Sequence, residues 1–453
     1  MAPSPTRALN AIVVVGAVLR AWWILGNGFS FDESFTAMAS RRSVGALFTF
    51  LRDHDSHPPL DYLIRAPFAA AGADAAVMRL PSFVFSVAAL GLFAWWMRDR
   101  GRVGILAALL IAVSPFQIMY GGEARMYALL ELLGIAAAVL ADRWLRRPQS
   151  WHAWAIGVVT LLALFDHVSG LLLGAGLLAV AGLRRDRAAW RWRAALAAAG
   201  VVWAACWGPS FLQQQSVTHA SWIARTSVAG VVDAVGSLVT ATHGFAAVIA
   251  LAVGAGAVVL WRRDPVLGRV WVACALVPFV LAAVIGLFAP FFIDRTVTVA
   301  AWAPAVAIAV LLDAVFRRSH VVGVAVAIGA FALVVPGTLV FLGRTWEYDA
   351  SIEHLQAVAR PGDVVAAVPA WYGPLIEWRI AEPDTGGVHA ITVSGLGDAE
   401  AVVLGARATN HRAWVLSFSG DHQRFLAFAR CAPDWTDGVT TVSCLRLPAR
   451  GDG

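Results

Sequence analysis

The chain has 453 residues, of which 59% are hydrophobic and only 14% charged, and its mean hydropathy is +0.70. A soluble domain has roughly 45–50% apolar and about 25% charged residues, so this composition excludes an ordinary soluble protein and predicts a polytopic membrane protein. The net charge of +6 does not indicate a nucleic-acid partner, because the basic residues lie in short loops between apolar segments, where they determine topology.

The first apolar segment, residues 9–26, is predicted to be a retained membrane span, because no small-residue cleavage site of a signal peptide follows it. Arg20 lies inside this segment and has two possible roles. Its side chain either extends to the interface or faces a polar cavity of the protein.

Residues 27–74 form the first large loop, which is too polar to span a membrane. Apolar residues recur at helical spacing over 32–40 and 44–51, which predicts short helices in the plane of the interface. Residues 60–71 predict a third short amphipathic segment before the next span.

The later apolar blocks are mostly of about 17–22 residues, the length that crosses about 30 Å of hydrocarbon, and the two on either side of Asp166-His167 are shorter. Including the first, about eleven spans are predicted. The later ten are residues 78–97, 103–119, 124–141, 152–166, 168–183, 194–212, 243–261, 270–288, 297–316 and 320–342.

Arginine is concentrated in alternate loops between these spans, whereas the other loops, such as 213–242, carry few. The positive-inside rule places the arginine-rich loops in the cytoplasm. The N-terminus is then cytoplasmic, and the loop at 27–74 and the C-terminus are extracytoplasmic. A multi-pass protein of the cytoplasmic (inner) membrane is expected.

Two domains are predicted: a transmembrane catalytic domain over residues 1–342 and a soluble extracytoplasmic domain over 343–453. The second has a pattern of alternating strands and helices, which predicts a small α/β domain. Its predicted helices are 350–359 and 421–430, and its predicted strands are 362–368, 414–418 and 440–447. It lacks a glycine-rich phosphate motif, so we expect it to give support or to recognise the acceptor.

The four cysteines fall into two pairs. Cys206 and Cys274 lie in apolar segments and are predicted to be core residues. Cys431 and Cys444 lie in the polar C-terminal part, where a disulfide is allowed if that part is outside the cytoplasm. The sequence leaves open whether this disulfide forms.

Polar residues recur on the predicted outer face. Asp32 and Glu33 are adjacent carboxylates at the mouth of the first span, where charges are costly unless they are solvated, paired or used. Other polar residues predicted on this face are His54, Asp55, His57, Arg79, Glu123, Arg125, Tyr127, Asp166, His167, Asp294 and Arg295. Each has a possible structural role, but their recurrence on one face predicts a shared polar cavity.

An enzyme on the outer face has no nucleotide-activated sugar or ATP, so a donor that travels in the lipid is required. A sugar on a polyprenyl phosphate fits this condition. Asp32 is predicted as the base that takes the proton of an acceptor hydroxyl, and Glu33 orients the acceptor or balances arginine charge. A single carboxylate base favours direct displacement with inversion at the anomeric carbon.

The leaving phosphate needs a cationic pocket. The sequence contains no lysine, so arginine, histidine, backbone N–H groups or a metal must bind it. The candidates are His57, Arg125, Arg295 and Arg79. The rest of the substrate pocket is predicted to include Arg20, His54, Asp55, Glu123, Tyr127, Asp166 and His167.

Seven short motifs occur in a specific order: Leu19-Arg20, Phe31-Asp32-Glu33-Ser34-Phe35, Ser56-His57-Pro58-Pro59-Leu60, Arg79-Leu80-Pro81-Ser82, Glu123-Ala124-Arg125-Met126-Tyr127, Asp166-His167 and Asp294-Arg295. This order resembles the GT-C class of glycosyltransferases. The resemblance is strongest to family-39, protein O-mannosyltransferase-like and aminoarabinose-transferase-like enzymes, and it covers most of residues 10–300. It implies Asp32 as the base and a lipid-phosphate site at His57, where some relatives carry lysine.

The resemblance implies no obligatory metal or other cofactor, although other GT-C branches use a divalent cation. The run from Asp53 to His57 is a weak candidate for such a cation, and a solvated polar turn is the alternative. The sugar, which is mannose-like or another, stays open, as does the acceptor, which is a lipid, a glycan or a protein.

Two other functions are compatible with a polytopic protein of this kind. A lipid-linked sugar transporter or flippase predicts internal repeats and polar residues through the depth of the membrane. A non-catalytic envelope-assembly protein leaves Asp32 and Glu33 without a role. The absence of a clear repeat and the one-sided polar residues favour the transferase.

Overall fold

The structure is a computed structural model. It describes residues 5–26, 28–72, 74–217, 223–240, 244–342, 349–360, 362–368, 389–392, 413–418, 435–436 and 440–444. Internal contacts divide the chain into two units. The first unit is Met1–Gly26 with Arg42–Gly343, and the second is Asn27–Arg41 with Arg344–Gly453.

The chain is mainly helical in its first three quarters. The helices are α1 (Pro5–Gly26), α2 (Phe31–Ser40), α3 (Val44–His54), α4 (Leu60–Ala70), α5 (Ala75–Met78), α6 (Leu80–Met97), α7 (Arg102–Val113), α8 (Pro115–Gly122), α9 (Tyr127–Arg146), α10 (Ser150–Asp166), α11 (Gly170–Gly182), α12 (Arg187–Val217), α13 (Val228–Thr240), α14 (Ala246–Arg263), α15 (Pro265–Trp271), α16 (Val277–Phe288), α17 (Ala303–Arg318), α18 (His320–Leu342) and α19 (Asp349–Val358). Short 3₁₀ segments occur at Arg98–Arg100 and Asp294–Ala300, and a π segment at Val272–Leu276 joins α15 to α16.

The first unit has the character of a membrane protein. Six of its described helical segments are long and apolar enough to cross a membrane: α1, α6, α12, α14, α15 with α16, and α18. Two bent pairs bring the number to eight if each is one span. Helices α9, α10 and α11 occupy three further predicted spans, but α10 and α11 have only 17 and 13 residues. The multi-pass architecture is confirmed, and the number of eleven stays a prediction.

Both bends lie next to prolines at helix starts. Pro115 opens α8, where its missing N–H costs no helical hydrogen bond, and the Ser114 hydroxyl accepts from the Gln117 N–H at 3.4 Å. The chain bends by 57° there. The second bend, of 65°, separates Asp294–Ala300 from α17, which has Pro304 in its first turn. Each bend lets a predicted continuous span end in a short segment of different direction.

Helix α13 lies in a stretch that we predicted as a loop. It has 13 residues, which is fewer than the roughly 17–25 that a span requires. Its buried face packs Ala234, Leu238 and Val239 into the apolar core. A length criterion for membrane spans therefore missed it.

Of the two cysteines that we predicted to be core residues, one prediction is correct and the other is wrong. Cys274 is buried in the π segment, as predicted. Cys206 is exposed on α12, because the helix turns that residue away from the bundle while Trp203 and Trp207 face inwards. In a membrane helix an apolar sequence does not identify the buried face, since lipid accepts apolar side chains equally well.

The second unit contains α2, α19 and a five-stranded sheet. The strands are β1 (Val364–Val368), β2 (His389–Thr392), β3 (Ala413–Phe418), β4 (Trp435–Thr436) and β5 (Thr440–Cys444), in the spatial order β2-β1-β3-β5-β4. β1 is parallel to β2 and β3, and β5 is antiparallel to β3 and β4. Helix α19 and strands β1, β3 and β5 lie where the sequence predicted a helix and strands. The predicted helix at 421–430 and Cys431 lie outside the described residues.

Close backbone packing between α14 and α17 depends on a glycine. A Cβ atom on Gly256 would collide with the backbone of Ala307, whereas one on Gly254 would meet nothing within 4 Å. Small residues at such crossings are typical of membrane helices, where packing replaces the hydrophobic effect as the driving force.

We expect Gly256→Ala to destabilise the first unit by about 1–3 kcal/mol, because the α17 backbone must move away. The measurement is the thermal unfolding midpoint of the protein purified in detergent. Gly254→Ala on the same helix is the matched control and is expected to unfold like the parent. Equal midpoints for the two variants would contradict the close contact between Gly256 and Ala307.

Candidate active site

The ends of several elements of the first unit form one polar cluster. The loop before α4, the turn between α8 and α9, the turn between α10 and α11 and the Asp294–Ala300 segment each contribute. We define the polar cluster as Asp55, His57, Tyr62, Arg125, His167 and Arg295.

Asp55 is the anion of the polar cluster. One of its oxygens, Oδ1, lies 3.0 Å from His57 Nδ1 and accepts from the Ser56 N–H at 2.7 Å. The other, Oδ2, accepts from the hydroxyl of the fully buried Tyr62. Burial alone would raise the pKa of Asp55. The charges of His57 and Arg125 and the hydrogen bonds from His57 and Tyr62 outweigh it and lower the pKa to about 2.

Tyr62 is correspondingly held in its neutral form. Burial, followed by the negative charge of Asp55, raises the pKa of its phenol well above the ordinary value of 10.0. Its oxygen also lies 3.5 Å from Arg125 NH1, a distance at which a hydrogen bond is weak. Tyr62 therefore connects the anion of the polar cluster to its buried arginine.

Arg65 holds the turn that carries Arg125. It forms a bidentate pair with Asp61 one helical turn earlier on α4, with both N···O distances at 2.9 Å. The remaining guanidinium bonds go to the backbone oxygens of Met78 at 2.6 Å and Arg125 at 3.0 Å, and to Ser82 Oγ at 2.7 Å. Arg65 is fully buried, so it fixes the position of the Arg125 backbone.

His167 lies between α10 and α11 and is buried. Its Nδ1 accepts from the Ser169 N–H at 3.0 Å, which places the hydrogen of the neutral ring on Nε2. Its ring centre is 5.0 Å from that of His57 and 6.2 Å from that of Tyr127. Burial, followed by the charges of His57, Arg125 and Arg295, lowers the pKa of His167 well below 6.5.

Positive charge adds to the effect of burial on His167. His57, Arg125 and Arg295 act on it from three different elements, and Asp55 opposes them. Tyr127 and Tyr120 add aromatic surface beside it, with ring centres 5.1 Å apart. A neutral imidazole can donate an N–H hydrogen bond to an anion without adding another positive charge beside these cations. This arrangement suits a phosphate.

The structure brings together three of the four predicted phosphate-binding residues, but Arg79 has a different environment. Its guanidinium carbon lies 4.8 Å from the centre of the Trp23 ring, and NH1 donates to the Ile24 carbonyl at 3.3 Å. Arg79 therefore stabilises the packing of α6 against α1. Its predicted role at the phosphate stays a prediction.

Arg20 also lies apart from the polar cluster. It is buried in the helix bundle, where Nε donates to Ser86 Oγ at 2.6 Å and NH1 donates to the carbonyls of Gly16 and Ala112 at 3.2 and 3.3 Å. Of the two interpretations from the sequence, extension to the interface is wrong, because these bonds hold the side chain inside the bundle.

The other predicted pocket residues divide between the polar cluster and its surroundings. Glu123 ends α8, and its carbonyl accepts from Ser82 Oγ at 2.5 Å. Asp166 is fully buried, and its carboxylate oxygens have no hydrogen-bond partner among the described residues. The ring of His54 is exposed at the end of α3 and packs 5.0 Å from Phe50.

Asp32 and Glu33 lie in the first turn of α2, in the second unit. Glu33 completes a capping box with Ser30. The Ser30 N–H donates to Glu33 Oε2 at 2.8 Å, and the Glu33 N–H donates to Ser30 Oγ at 3.2 Å. Glu33 therefore has a structural task at the helix start. The catalytic roles predicted for the two carboxylates stay predictions.

The sequence interpretation missed Tyr62, Asp61 and Arg65. The signal available for two of them was the spacing Asp61–Arg65, which places opposite charges four residues apart on one face of a predicted amphipathic helix. Tyr62 gave no such signal, because a single tyrosine in an apolar segment is typical of any interfacial helix.

The carboxylates of the run from Asp53 to His57 contact other groups of the protein. Asp55 is engaged by His57, Ser56 and Tyr62, and the Asp53 carboxylate accepts from Arg52 at 3.0 Å. No three His, Cys, Asp or Glu side chains of the described ranges are arranged to hold a metal ion.

The buried neutral His167 predicts a loss of stability in acid. The unfolded chain binds a proton at this residue below about pH 6.5, whereas the folded protein does not. The free energy of unfolding therefore falls by up to about 1.4 kcal/mol per pH unit below that value. Asp55 adds nothing in this range, because its stabilisation is lost only as the pH falls from about 4 towards 2.

We expect His167→Asn to remove most of this slope between about pH 6.5 and 5.5, since the amide oxygen still accepts from Ser169 and does not titrate. Thermal unfolding in detergent across that range is the measurement. His54→Asn, at an exposed position, is the control and should keep the parent slope. An unchanged slope in His167→Asn would show that His167 titrates normally.

Comparison with known proteins supports this architecture. No protein-family model and no curated protein sequence matches the chain. Among solved structures, ArnT from Cupriavidus metallidurans bound to undecaprenyl phosphate is similar with a TM-score of 0.62 and 13% identity, over 96% of this chain and 98% of that one. Its apo state gives 0.63 and 14%, over 97% and 98%.

A second similar structure is the Archaeoglobus fulgidus oligosaccharyltransferase in complex with zinc and sulfate. The TM-score is 0.56 at 13% identity, over 94% of this chain and 70% of that one. At such identities the likeness is one of fold. The fold predicted from the sequence, that of the GT-C glycosyltransferases, is therefore confirmed.

Proposed function

We propose that the protein is an inverting glycosyltransferase that moves a sugar from a polyprenyl phosphate to an acceptor hydroxyl. The observation that carries this proposal is the convergence of His57, Arg125 and Arg295 on the neutral His167. The full-length likeness to ArnT, whose structure contains undecaprenyl phosphate, supports a prenyl-linked phosphate as the anion.

The polar cluster suits a phosphate that gains charge during the reaction. Arg125 is buried, so its attraction for a phosphate oxygen is screened less than that of a surface arginine. Its backbone is fixed by Arg65, and little reorganisation is needed when the charge develops. In this proposal Arg125, Arg295 and His57 bind the phosphate, and His167 donates from Nε2.

Asp32 is proposed as the base on the grounds given by the sequence. Its carboxylate accepts the proton of the acceptor hydroxyl as the acceptor oxygen attacks the anomeric carbon. The bond from that carbon to the phosphate oxygen breaks, and polyprenyl phosphate leaves with the electron pair. One new glycosidic bond replaces one phosphoester bond, with inversion and no covalent intermediate.

The arginine distribution supports a location in the cytoplasmic membrane with the N-terminus inside and the C-terminal domain outside. A prenyl-linked donor is consistent with an outer-face reaction, since it needs no soluble nucleotide sugar. We propose that no divalent cation takes part, because the carboxylates of the Asp53–His57 run are engaged by protein groups.

The base assignment is tested by two neighbouring isosteric variants. Asp32→Asn is expected to lower the turnover number about 10²–10⁴-fold with donor affinity unchanged. Glu33→Gln keeps an oxygen that can accept from the Ser30 N–H, so it is expected to stay near the parent rate. The measurement is transfer from radiolabelled polyprenyl-phosphate sugar by protein purified in detergent. Parent activity in Asp32→Asn, or an equal loss in both variants, would refute the base assignment.

The phosphate site is tested by donor binding. Arg125→Ala and Arg295→Ala are each expected to weaken the affinity for undecaprenyl phosphate about 10- to 100-fold, the usual effect of losing a charged hydrogen-bond donor. Arg52→Ala is the control, because Arg52 pairs with Asp53 at the surface, and it should bind like the parent. Thermal unfolding of each variant separates lost binding from lost folding. Parent-like binding in both cluster variants would place the phosphate elsewhere.

A further inference from the structure

A groove lies at the other end of the bundle from the polar cluster. Arg295 precedes α17, whereas the end of α14 lies beside the last part of α17, where Arg263 pairs with Asp313 at 3.1 Å. The 16 residues of α17 separate these ends by about 24 Å. This end carries an unassigned groove between α14 and the α15–α16 segment.

The groove is small and apolar along its length. Its volume is about 250 Å³, below the roughly 300–1,000 Å³ of a pocket for a compact small molecule. Trp261 and Arg262 lie at one end and Leu276 at the other, with Ala257 and Val272 along the walls. Residues 268–276 of the second wall extend over about 12 Å as a helix, so the groove suits one hydrocarbon chain.

One end of the groove is positively charged. Arg262 lines it, and Arg269 is exposed on the next helix. Neither guanidinium has an ion-pair partner in the part of the chain that the structure describes. The nearest acid in the sequence, Asp264, is already engaged: both its oxygens accept from Arg146, at 3.0 and 2.7 Å, and it caps α15 through the Leu267 N–H.

An apolar groove with a positively charged end matches a membrane lipid that lies along the bundle. Trp261 is 48% exposed and is of the type that marks the interface between headgroups and hydrocarbon. An acyl chain placed in the groove would bring its phosphate to Arg262, and the exposed Arg269 directly follows the lining residue Gly268. Basic pockets between membrane helices on the cytoplasmic side are a known form of site for anionic headgroups, and the arginine-rich end of this bundle is the proposed cytoplasmic end.

We propose that the groove between α14 and the α15–α16 segment binds one anionic phospholipid of the cytoplasmic leaflet. One acyl chain occupies the apolar channel, and Arg262 and Arg269 hold the phosphate. The site is separate from the polar cluster, and its ligand is a bulk lipid and not the sugar donor.

The test compares phosphatidylglycerol with phosphatidylcholine of the same acyl chains, added to delipidated protein in detergent and measured by native mass spectrometry. The parent should bind the anionic lipid more tightly. In the double variant Arg262→Ala/Arg269→Ala, its affinity for phosphatidylglycerol should fall about 5- to 30-fold, while phosphatidylcholine binding stays unchanged. Arg185→Ala, at an exposed arginine of another loop, is the matched control and should bind like the parent.

A second variant tests the channel itself. Leu276→Trp fills the groove from its exposed end, where Leu276 is 39% exposed, and should weaken both lipids. Equal affinities of the parent for the two lipids, or the same loss in Arg185→Ala as in the double variant, would overturn the proposal. A dimer that dissociates in Leu276→Trp would show that a second copy of the chain fills the groove and would equally overturn it.

Discussion

The pair formed by Asp61 and Arg65 is the interaction on which the polar cluster depends. Both side chains are removed from solvent. Desolvating two ions costs several kcal/mol each, and this cost is repaid only when the remaining donors and acceptors are hydrogen-bonded. Arg65 meets this condition because its bonds to Asp61, Met78, Ser82 and Arg125 employ all three guanidinium nitrogens. These bonds join α4, the end of α5, the start of α6 and the α8–α9 turn.

The two ends of the first unit differ in how their charged side chains are paired. At the arginine-rich end, Asp313 accepts from Arg102, Arg263 and Arg317, and Asp142 accepts from Arg100 and Arg146. Each of these two acids binds two or three arginines, which fixes helix ends and leaves an excess of positive charge at this end of the bundle. In the polar cluster the cations face Asp55 and a neutral imidazole, and this local imbalance favours an incoming anion.

Much of the architecture was predictable because membrane burial acts on every residue of a span. Apolar blocks predicted the long helices, and polar residues recurring on one face predicted that His57 and Arg125 converge. The exposed Cys206 and the helix α13 escaped prediction, because apolarity within lipid does not report which face or which short helix is buried. The backbone carbonyls that bind Arg20 and Arg79 escaped it too. Such contacts depend on which helices meet, and periodicity within one helix contains no information about that.

The two neighbouring carboxylates of α2 have different environments in the structure, although the sequence analysis considered them as a pair. The pattern Ser30 to Glu33 is a capping box, and the bonds of Glu33 satisfy N–H groups that would otherwise lack a partner at the helix start. This capping role accounts for a glutamate at position 33 without any part in the reaction. Asp32 has no part in the box, yet it lies in the first turn, where the helix dipole stabilises a negative charge. Asp32 therefore lies at the helix start outside the capping box, and its role as the base stays a prediction.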